Sequence, residues 1–365
     1  DEEILKLSKK RKSVRGLSKN VIYSMAKWIE YNEKVQKFYE EAKKLENKII
    51  KRILERSDVI VGTNSSIGID YMKDLNFDVV VIDEASQATE PSCLIPITHG
   101  KKIVMSGDHK QLPPTILNPQ AEPILSKTLF ERLIKFYPSN SRLLRIQYRM
   151  NEKIMGFSNK FFYDGKLIAD KSVKNRTLRS LGIKDVPFDS PLKEIVSPDD
   201  PLVLVDTSKI PERFEKQRSG STSRENALEA NIASLITDCF LNMKIPSEEI
   251  GIITPYDDQV DLIKKMMHNK KIKVNTVDGF QGREKEIIIL SLVRSNKKGE
   301  VGFLMDERRL NVSLTRAKSK LVIIGDFSTL SNNPLYKALL IYVKENGKYI
   351  SIYSNFLSMF SNLKS

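Results

Sequence analysis

The stretch Phe77-Asp78-Val79-Val80-Val81-Ile82-Asp83-Glu84-Ala85-Ser86-Gln87 decides the fold. Its first six residues are apolar apart from Asp78, the pattern of a strand buried on both faces of a parallel sheet. Two carboxylates directly after such a strand lie at its C-terminal edge, where open α/β sheets bind ligands. A second apolar run, Ile103-Val104-Met105, leads to Gly107-Asp108-His109-Lys110-Gln111-Leu112-Pro113-Pro114 at the same edge. Phosphoryl transfer needs a carboxylate on magnesium, a group that orients the attacking water, and a polar sensor of the γ-phosphate. Asp83, Glu84 and Gln111 are of the types that supply all three. An Asp-Glu pair after a strand can equally open a helix, because acids favour that end. The pair alone leaves both readings open, and the remainder of the chain must choose between them.

Working outward, 365 residues are enough for about two domains with their own cores. Hydrophobic content of 40% and charged content of 29% are those of an ordinary soluble globular protein. No apolar run approaches the roughly 18–20 residues that span a bilayer, so no membrane association is expected. Cys93 and Cys239 lie far apart, and three His form no cluster of zinc-ligand spacing. A reducing, intracellular setting is expected, cytoplasmic or nuclear in a eukaryote. The net charge of +14, from 60 basic against 46 acidic residues, suits a polyanionic partner such as nucleic acid. Local basic runs at Lys9-Lys10-Arg11-Lys12 and Lys270-Lys271-Ile272-Lys273 can contact phosphates or serve as solvated surface.

Residues before about 20 are polar and basic and read as loop. Trp28, Tyr31, Val35, Phe38, Ala42, Leu45, Ile49 and Ile53 then recur at spacings of three and four, with no Gly or Pro between them. This predicts an amphipathic helix of roughly seven turns, or a helical hairpin, with a narrow apolar seam. The seam is expected to pack on the first domain, while the polar face stays open to other uses. Val59-Ile60-Val61 reads as a strand running into a small polar loop at Gly62–Ser66. Leu129–Phe136 reads as a helix stopped by Pro138, and residues 165–200, with Pro187, Pro191 and Pro198, as an irregular surface excursion. A second α/β unit follows. It alternates the strand Leu202–Val205, the helix Glu225–Leu241, the strand Gly251–Thr254, the helix Gln259–Met267, and the strands Ile287–Val293 and Leu321–Gly325. Such alternation implies a parallel sheet.

Three further segments flank or lie within that unit: Gln147-Tyr148-Arg149-Met150, Thr276-Val277-Asp278-Gly279-Phe280-Gln281-Gly282-Arg283-Glu284 and Asn311-Val312-Ser313-Leu314-Thr315-Arg316-Ala317-Lys318. Together with the two segments around Asp83 and Gln111, they give the chain a resemblance to superfamily 1 helicases of the group containing the nonsense-mediated-decay helicase, senataxin and the immunoglobulin-mu-binding-protein helicase. The resemblance runs from about residue 55 to 330, with the five motifs in family order. It implies two RecA-like parallel-sheet domains, the first incomplete, with a helical insertion: an insertion at 1–56, the first domain at 57–140 and the second at 141–365.

By the same resemblance Asp83 matches the magnesium-binding carboxylate, Glu84 the one that activates water, and Gln111 the γ-phosphate sensor. Arg149 and Arg316 match two arginine fingers. Tyr148 matches a residue near the adenine base, and Glu284, with Gly282 beside it, the ribose or phosphate end of the nucleotide. A guanidinium is a planar, always-charged fork suited to charge on the γ-phosphoryl oxygens, and such a finger is worth about 10³–10⁵ in rate. Each arginine can otherwise be a surface ion pair, and Tyr148 can instead pack beside Leu144. Thr63, Asn64, Thr254, Pro255, Tyr256 and Thr276 match positions that hold nucleic acid by its backbone, although Thr at a strand end is also a common helix cap. ATP and Mg2+ as cofactors, and single-stranded RNA or DNA as partner of a monomer translocating 5′-to-3′, are what the resemblance implies.

One departure stands out. The family's phosphate-binding loop, Gly-x-x-x-x-Gly-Lys-Ser/Thr, occurs nowhere in the 365 residues, and the chain starts at Asp1 rather than Met. The expectation is therefore a C-terminal portion of such a helicase, inactive by itself. Rival readings are a nucleotide-switched clamp on single strands, an interaction scaffold, and a metal-dependent nuclease built on Asp83, Glu84 and Asp108.

Overall fold

The computed structural model describes residues 19–184, 188, 191–354 and 356. The basic run Lys9–Lys12, the loop expected at the N-terminus up to residue 18, and Pro187 lie outside the described residues. The chain divides into two compact units. One is the described part of Asp1–Asp83 together with Thr89–Ser106; the other is Glu84–Ala88 together with the described part of Gly107–Ser365.

The first unit opens with helix α1, Lys19–Arg56, a single helix rather than a hairpin. Frequent Glu and Lys with no Gly or Pro to break it favour it, and pairs such as Glu30–Lys34, 2.6 Å apart, lace its surface. Its apolar seam does not pack as expected: Trp28, Phe38 and Ile49 are exposed by 50%, 69% and 59%. The helix rests on the turn Asp70–Met72, where Tyr71 Oη donates to Asn47 Oδ1 at 2.8 Å, and that contact is too short to cover the stripe. Strand β1, Phe77–Ile82, pairs in parallel with β2, Gly100–Met105, and helix α2, Glu90–Ile97, contacts both. The expectation that β1 is buried on both faces fails. Val80 and Ile82 are buried while Val79 and Val81 are exposed, because only one face of this two-stranded sheet is covered among the described residues. Nor is Val59-Ile60-Val61 a strand. No ladder partner exists for it among the described residues, and Val61 is 92% exposed.

The second unit contains helix α3, Leu129–Phe136, capped by Thr128, whose Oγ1 accepts from Glu131 N. The short strands β3, Ile146–Gln147, and β4, Ile168–Ala169, pair in parallel, with helix α4, Glu152–Phe162, between them. A six-stranded, all-parallel sheet follows: β5 (Leu202–Asp206), β6 (Ile250–Thr254), β7 (Lys273–Thr276), β8 (Lys285–Ser291), β9 (Ala317–Gly325) and β10 (Lys348–Ser351), in the order β10-β5-β9-β8-β6-β7. Helices α5 (Ala227–Asn242), α6 (Asp257–Met266), α7 (Glu307–Leu314) and α8 (Pro334–Asn346) join and cover it.

The strand sequences explain why both faces are covered. Val203, Val205, Ile250, Ile252, Ile287 and Ile289 enter one core with Ile236, Phe240, Val260 and Ile263 of α5 and α6. Their neighbours Leu202, Leu204, Ile253, Ile288 and Leu290 enter the other, with Phe157, Leu310, Tyr336 and Leu339 of α4, α7 and α8. Successive side chains alternate between faces, so a strand apolar at every position is buried twice.

Residues 165–200 are less irregular than the sequence suggests. Besides β4 they hold short helices at Lys171–Lys174 and Leu192–Val196, and the latter packs on α5. Leu178, Leu192, Ile195 and Val196 are buried in the α5 core. Leu192, Ile195 and Val196 do recur at helical spacing, but over little more than one turn beside Pro191 and Pro198, too short a run to predict a helix. Both cysteines are free and buried, and no described helix is long and apolar enough to cross a membrane.

Candidate active site

Glu84, directly after Asp83, takes a left-handed conformation, φ 51°, uncommon for a residue with a Cβ. The Ala85–Gln87 turn that follows folds Gln87 back, and its Nε2 donates to Glu84 Oε2 at 2.6 Å. This turn is fastened to the loop carrying Gln111. Ser86 Oγ accepts from Asp108 N at 3.0 Å, and a Cβ at Gly107 would lie 2.9 Å from Ser86 N, so only glycine permits the approach. In the first unit, Asp83 follows the C-terminal end of β1 and accepts a hydrogen bond from Ser106 Oγ, which follows β2.

Gln111 is held on both sides of its amide. Its Nε2 donates to Asp108 Oδ2 at 2.8 Å, and its Oε1 accepts from Arg316 Nη2 at 3.1 Å. Arg316 follows α7 and is 3% exposed. Its Nε donates to Val312 O at 3.0 Å and its Nη2 also reaches Thr315 Oγ1 at 3.0 Å. Burial pushes this guanidinium down to about 10, and the like charge of Arg149 adds to the effect. At neutral pH it remains charged.

Arg149 stands nearby, half-exposed. It pairs through Nε with Glu284 Oε2 and donates from Nη1 to Thr315 O at 3.3 Å. Gln147 fixes the turn it stands on, with Oε1 accepting from both Arg149 N and Met150 N at 2.8 Å. Lys318 reaches the other oxygen of Glu284 at 3.0 Å. Burial pushes the Glu284 carboxyl up, but the Lys318 hydrogen bond and the Arg149 charge outweigh it and hold it below its usual value. The second unit thus gathers Gln111, Arg149, Glu284 and Arg316 from four segments, with two guanidinium groups facing one carboxylate and one carboxamide. Guanidinium groups held in this way are of the type that can receive a polyanion in which charge develops.

The other expected site residues are placed as follows. Tyr148 is 66% exposed and Leu144 is 89% exposed, so core packing beside Leu144 is not its role. Gly282 has φ 73°, with open space where a Cβ would stand, so the backbone turn rather than crowding calls for glycine there. Thr63 and Asn64 lie in the first unit at the start of the turn Ser65–Gly68, where Asn64 Nδ2 donates to Ser92 Oγ at 3.2 Å. Thr254 ends β6, Pro255 and Tyr256 follow it, all three are buried, and the Tyr256 ring lies 5.9 Å from that of Phe303. Thr276 caps a short helix, its Oγ1 accepting from Gly279 N at 3.3 Å. The run Lys270–Lys273 buries Ile272 and turns Lys270 back onto Lys264 O at 2.6 Å.

Two residues join the group that motif reading had not singled out. Tyr163 donates from Oη to Asp108 Oδ2 at 2.6 Å, and Asn311 Nδ2 donates to Tyr163 Oη at 3.0 Å. Asn311 opens the Arg316 segment and was within reach of a motif argument. Tyr163, at the end of an apolar helix, gave no signal.

The fold and this site define a parallel α/β chain whose polar loops converge on paired arginines. The chain belongs to the AAA-domain family of superfamily 1 helicases: two family models, each described as an AAA domain, match residues 2–119 and 125–328. It is 48% identical over 346 residues to an uncharacterized ATP-dependent helicase of Methanocaldococcus jannaschii, covering 94% of this chain and 50% of that protein. Identity is 38% to the DNA polymerase alpha-associated DNA helicase A of Saccharomyces cerevisiae, covering 93% and 54%, and 35% to the DNA-binding protein SMUBP-2 of Mus musculus, covering 87% and 32%. The chain thus spans about half or less of the length of these relatives.

Proposed function

We propose that this chain is part of an ATP-dependent helicase that hydrolyses ATP while translocating on single-stranded nucleic acid, in the 5′-to-3′ direction that the family resemblance implies. The observation that carries the reading is the Gln111–Arg316–Arg149–Glu284 group, together with the names of the helicase relatives. Gln111 offers a polar side chain to the γ-phosphate, while Arg149 and Arg316 stabilise charge on the transferring oxygens. Glu84 is the base for the attacking water, and Gln87 orients its carboxylate. Glu284 and Gly282 hold the nucleotide's ribose or phosphate end, and Tyr148 is exposed as a platform for adenine. Thr63, Asn64, Thr254, Pro255, Tyr256 and Thr276 are the positions assigned to the nucleic-acid backbone. For the buried Thr254 and Tyr256, that role falls to the main chain around them.

Magnesium fits Asp83 by donor chemistry. The described residues hold no group of three or more His, Cys, Asp or Glu that could cage a metal, and Mg2+ is commonly bound through one or two carboxylates plus substrate phosphates and water. Asp83 with the Ser106 hydroxyl beside it would hold the ion, which when bound neutralises phosphate charge.

The test is ATP hydrolysis by the full-length protein with magnesium, with and without single-stranded DNA or RNA. DNA comes first, because two of the relatives carry it in their names. Stimulated turnover that Glu84→Gln abolishes while nucleotide binding survives is the expected result. Arg316→Ala should cost at least about tenfold in rate. Full turnover in Glu84→Gln would defeat the reading. Nucleotide-dependent strand binding without turnover would make the protein a clamp instead.

A further inference from the structure

We infer that Tyr163 is a positioning residue, fixing through Asp108 the orientation in which Gln111 meets Arg316; this rests on the helicase reading of the site. The chain of bonds is continuous within the second unit. Tyr163 caps the C-terminus of α4, its N bonded to Asn159 O at 3.2 Å. Its hydroxyl donates to Asp108 Oδ2 at 2.6 Å, and the same oxygen accepts from Gln111 Nε2 at 2.8 Å. The hydroxyl also accepts from Asn311 Nδ2 at 3.0 Å, and Asn311 reaches Lys110 O at 2.9 Å. From Gln111 the bonds continue to Arg316, which lies on the same segment as Asn311. Burial and the Asp108 carboxylate push the Tyr163 phenol well above its usual value, so it keeps its proton and donates.

The chemistry of a carboxamide makes this matter. Its oxygen and its NH2 are nearly the same size, and a half-turn about the last bond exchanges an acceptor for a donor. With the donor turned toward Arg316 and the site beyond it, Gln111 would meet a guanidinium with N–H against N–H. Asp108 prevents that, because its Oδ2 accepts from Nε2 and, with the Tyr163 hydroxyl donating to the same oxygen, stands as an acceptor there. Asp108 can do so only while its own carboxylate is prevented from rotating, and the bonds from Lys110 N to Oδ1 at 3.0 Å and from Tyr163 to Oδ2 supply that restraint. Asn311 ties the same hydroxyl to the segment bearing Arg316. One phenol thus couples the loop carrying the carboxamide to the segment carrying the arginine.

Tyr163→Phe removes the hydroxyl and little else, since Asn311 keeps its bond to Lys110 O. In the full-length protein, with single-stranded DNA and magnesium, kcat should fall about tenfold, the worth of one hydrogen bond to a charged group. KM for ATP should change by less than about twofold, because what is lost is orientation in the transition state. The deciding readout is a double-mutant cycle. In a Gln111→Ala background the same tyrosine change should alter kcat by less than about twofold, since there is no amide left to orient. Losses that multiply, or a neutral Tyr163→Phe beside a damaging Gln111→Ala, would overturn the inference and leave the helicase reading standing. A Gln111→Ala protein with wild-type turnover, or a wild type without turnover, defeats the reading of the site and the inference with it. Should Tyr163→Phe not accumulate folded, Asn311→Ala passes through the same cycle with the same expected non-additivity.

Discussion

Glu229 lies on α5 with no exposure, its Oε2 accepting from Ser291 Oγ at 2.7 Å and from Val293 N at 2.8 Å. Val293 has φ 69°, a genuine outlier for a β-branched residue, and this bond is one of the contacts that hold it there. Burial pushes the Glu229 carboxyl up from 4.5 to about 8. Between those values the folded protein keeps a proton that the unfolded chain releases. The stabilisation from this group is therefore full below pH 4.5 and is lost as pH rises through about 8. Glu229→Gln should flatten the fall in denaturant midpoint across that window relative to wild type. Equal slopes in the two proteins would mean that the carboxyl is ionised in the fold. Residues of this kind were not legible in the sequence, where an acid in a predicted helix reads as solvent-facing. Gln111 and Arg316 were legible because long motifs carried them. Tyr163 was not, since its partners lie 55 and 148 residues away and no spacing announces them.

Among the elements, the strands that run apolar at every position were the readable ones. Leu202–Asp206, Ile250–Thr254 and Lys285–Ser291 are buried at almost every residue, and their sequences say so. The edge strands β7 and β10 escaped, because Lys273-Val274-Asn275-Thr276 and Lys348-Tyr349-Ile350-Ser351 each bury one residue and present the others partly to solvent. Val59-Ile60-Val61 misled for the opposite reason: apolar character predicts burial, but a strand also needs a neighbour. Helix α8 was missed although its inner face is fully packed, and it offers a direct check on the two-core architecture. Leu339 is 1% exposed and Ile341, two residues on, is 49% exposed. Leu339→Ala should cost about 2–5 kcal/mol and Ile341→Ala less than about 1 kcal/mol in urea unfolding. Similar costs at both positions would mean that α8 does not seat as described.

For the whole molecule, the excess of 60 basic over 46 acidic residues gives the helicase reading a consequence that the site does not share. Backbone contacts to a single strand release counterions, so affinity falls with salt roughly as the 0.7 power per phosphate neutralised. Between about 50 and 200 mM salt the full-length protein should lose at least about tenfold in affinity for single-stranded DNA. Affinity unchanged over that range would mean that the surplus charge lies away from the strand. The arrangement of the site also bears on the order in which the fold assembles. Arg149 meets Glu284 across 135 residues of chain, and Arg316 meets Gln111 across 205. Contacts of such sequence separation close large loops before any reward arrives, so they belong to the slow end of folding. A newly made chain must therefore be released to Arg316 and beyond before this group of side chains can come together. Until then Gln111 and Arg149 are ordinary polar side chains, each lacking the partner that the finished fold sets against it.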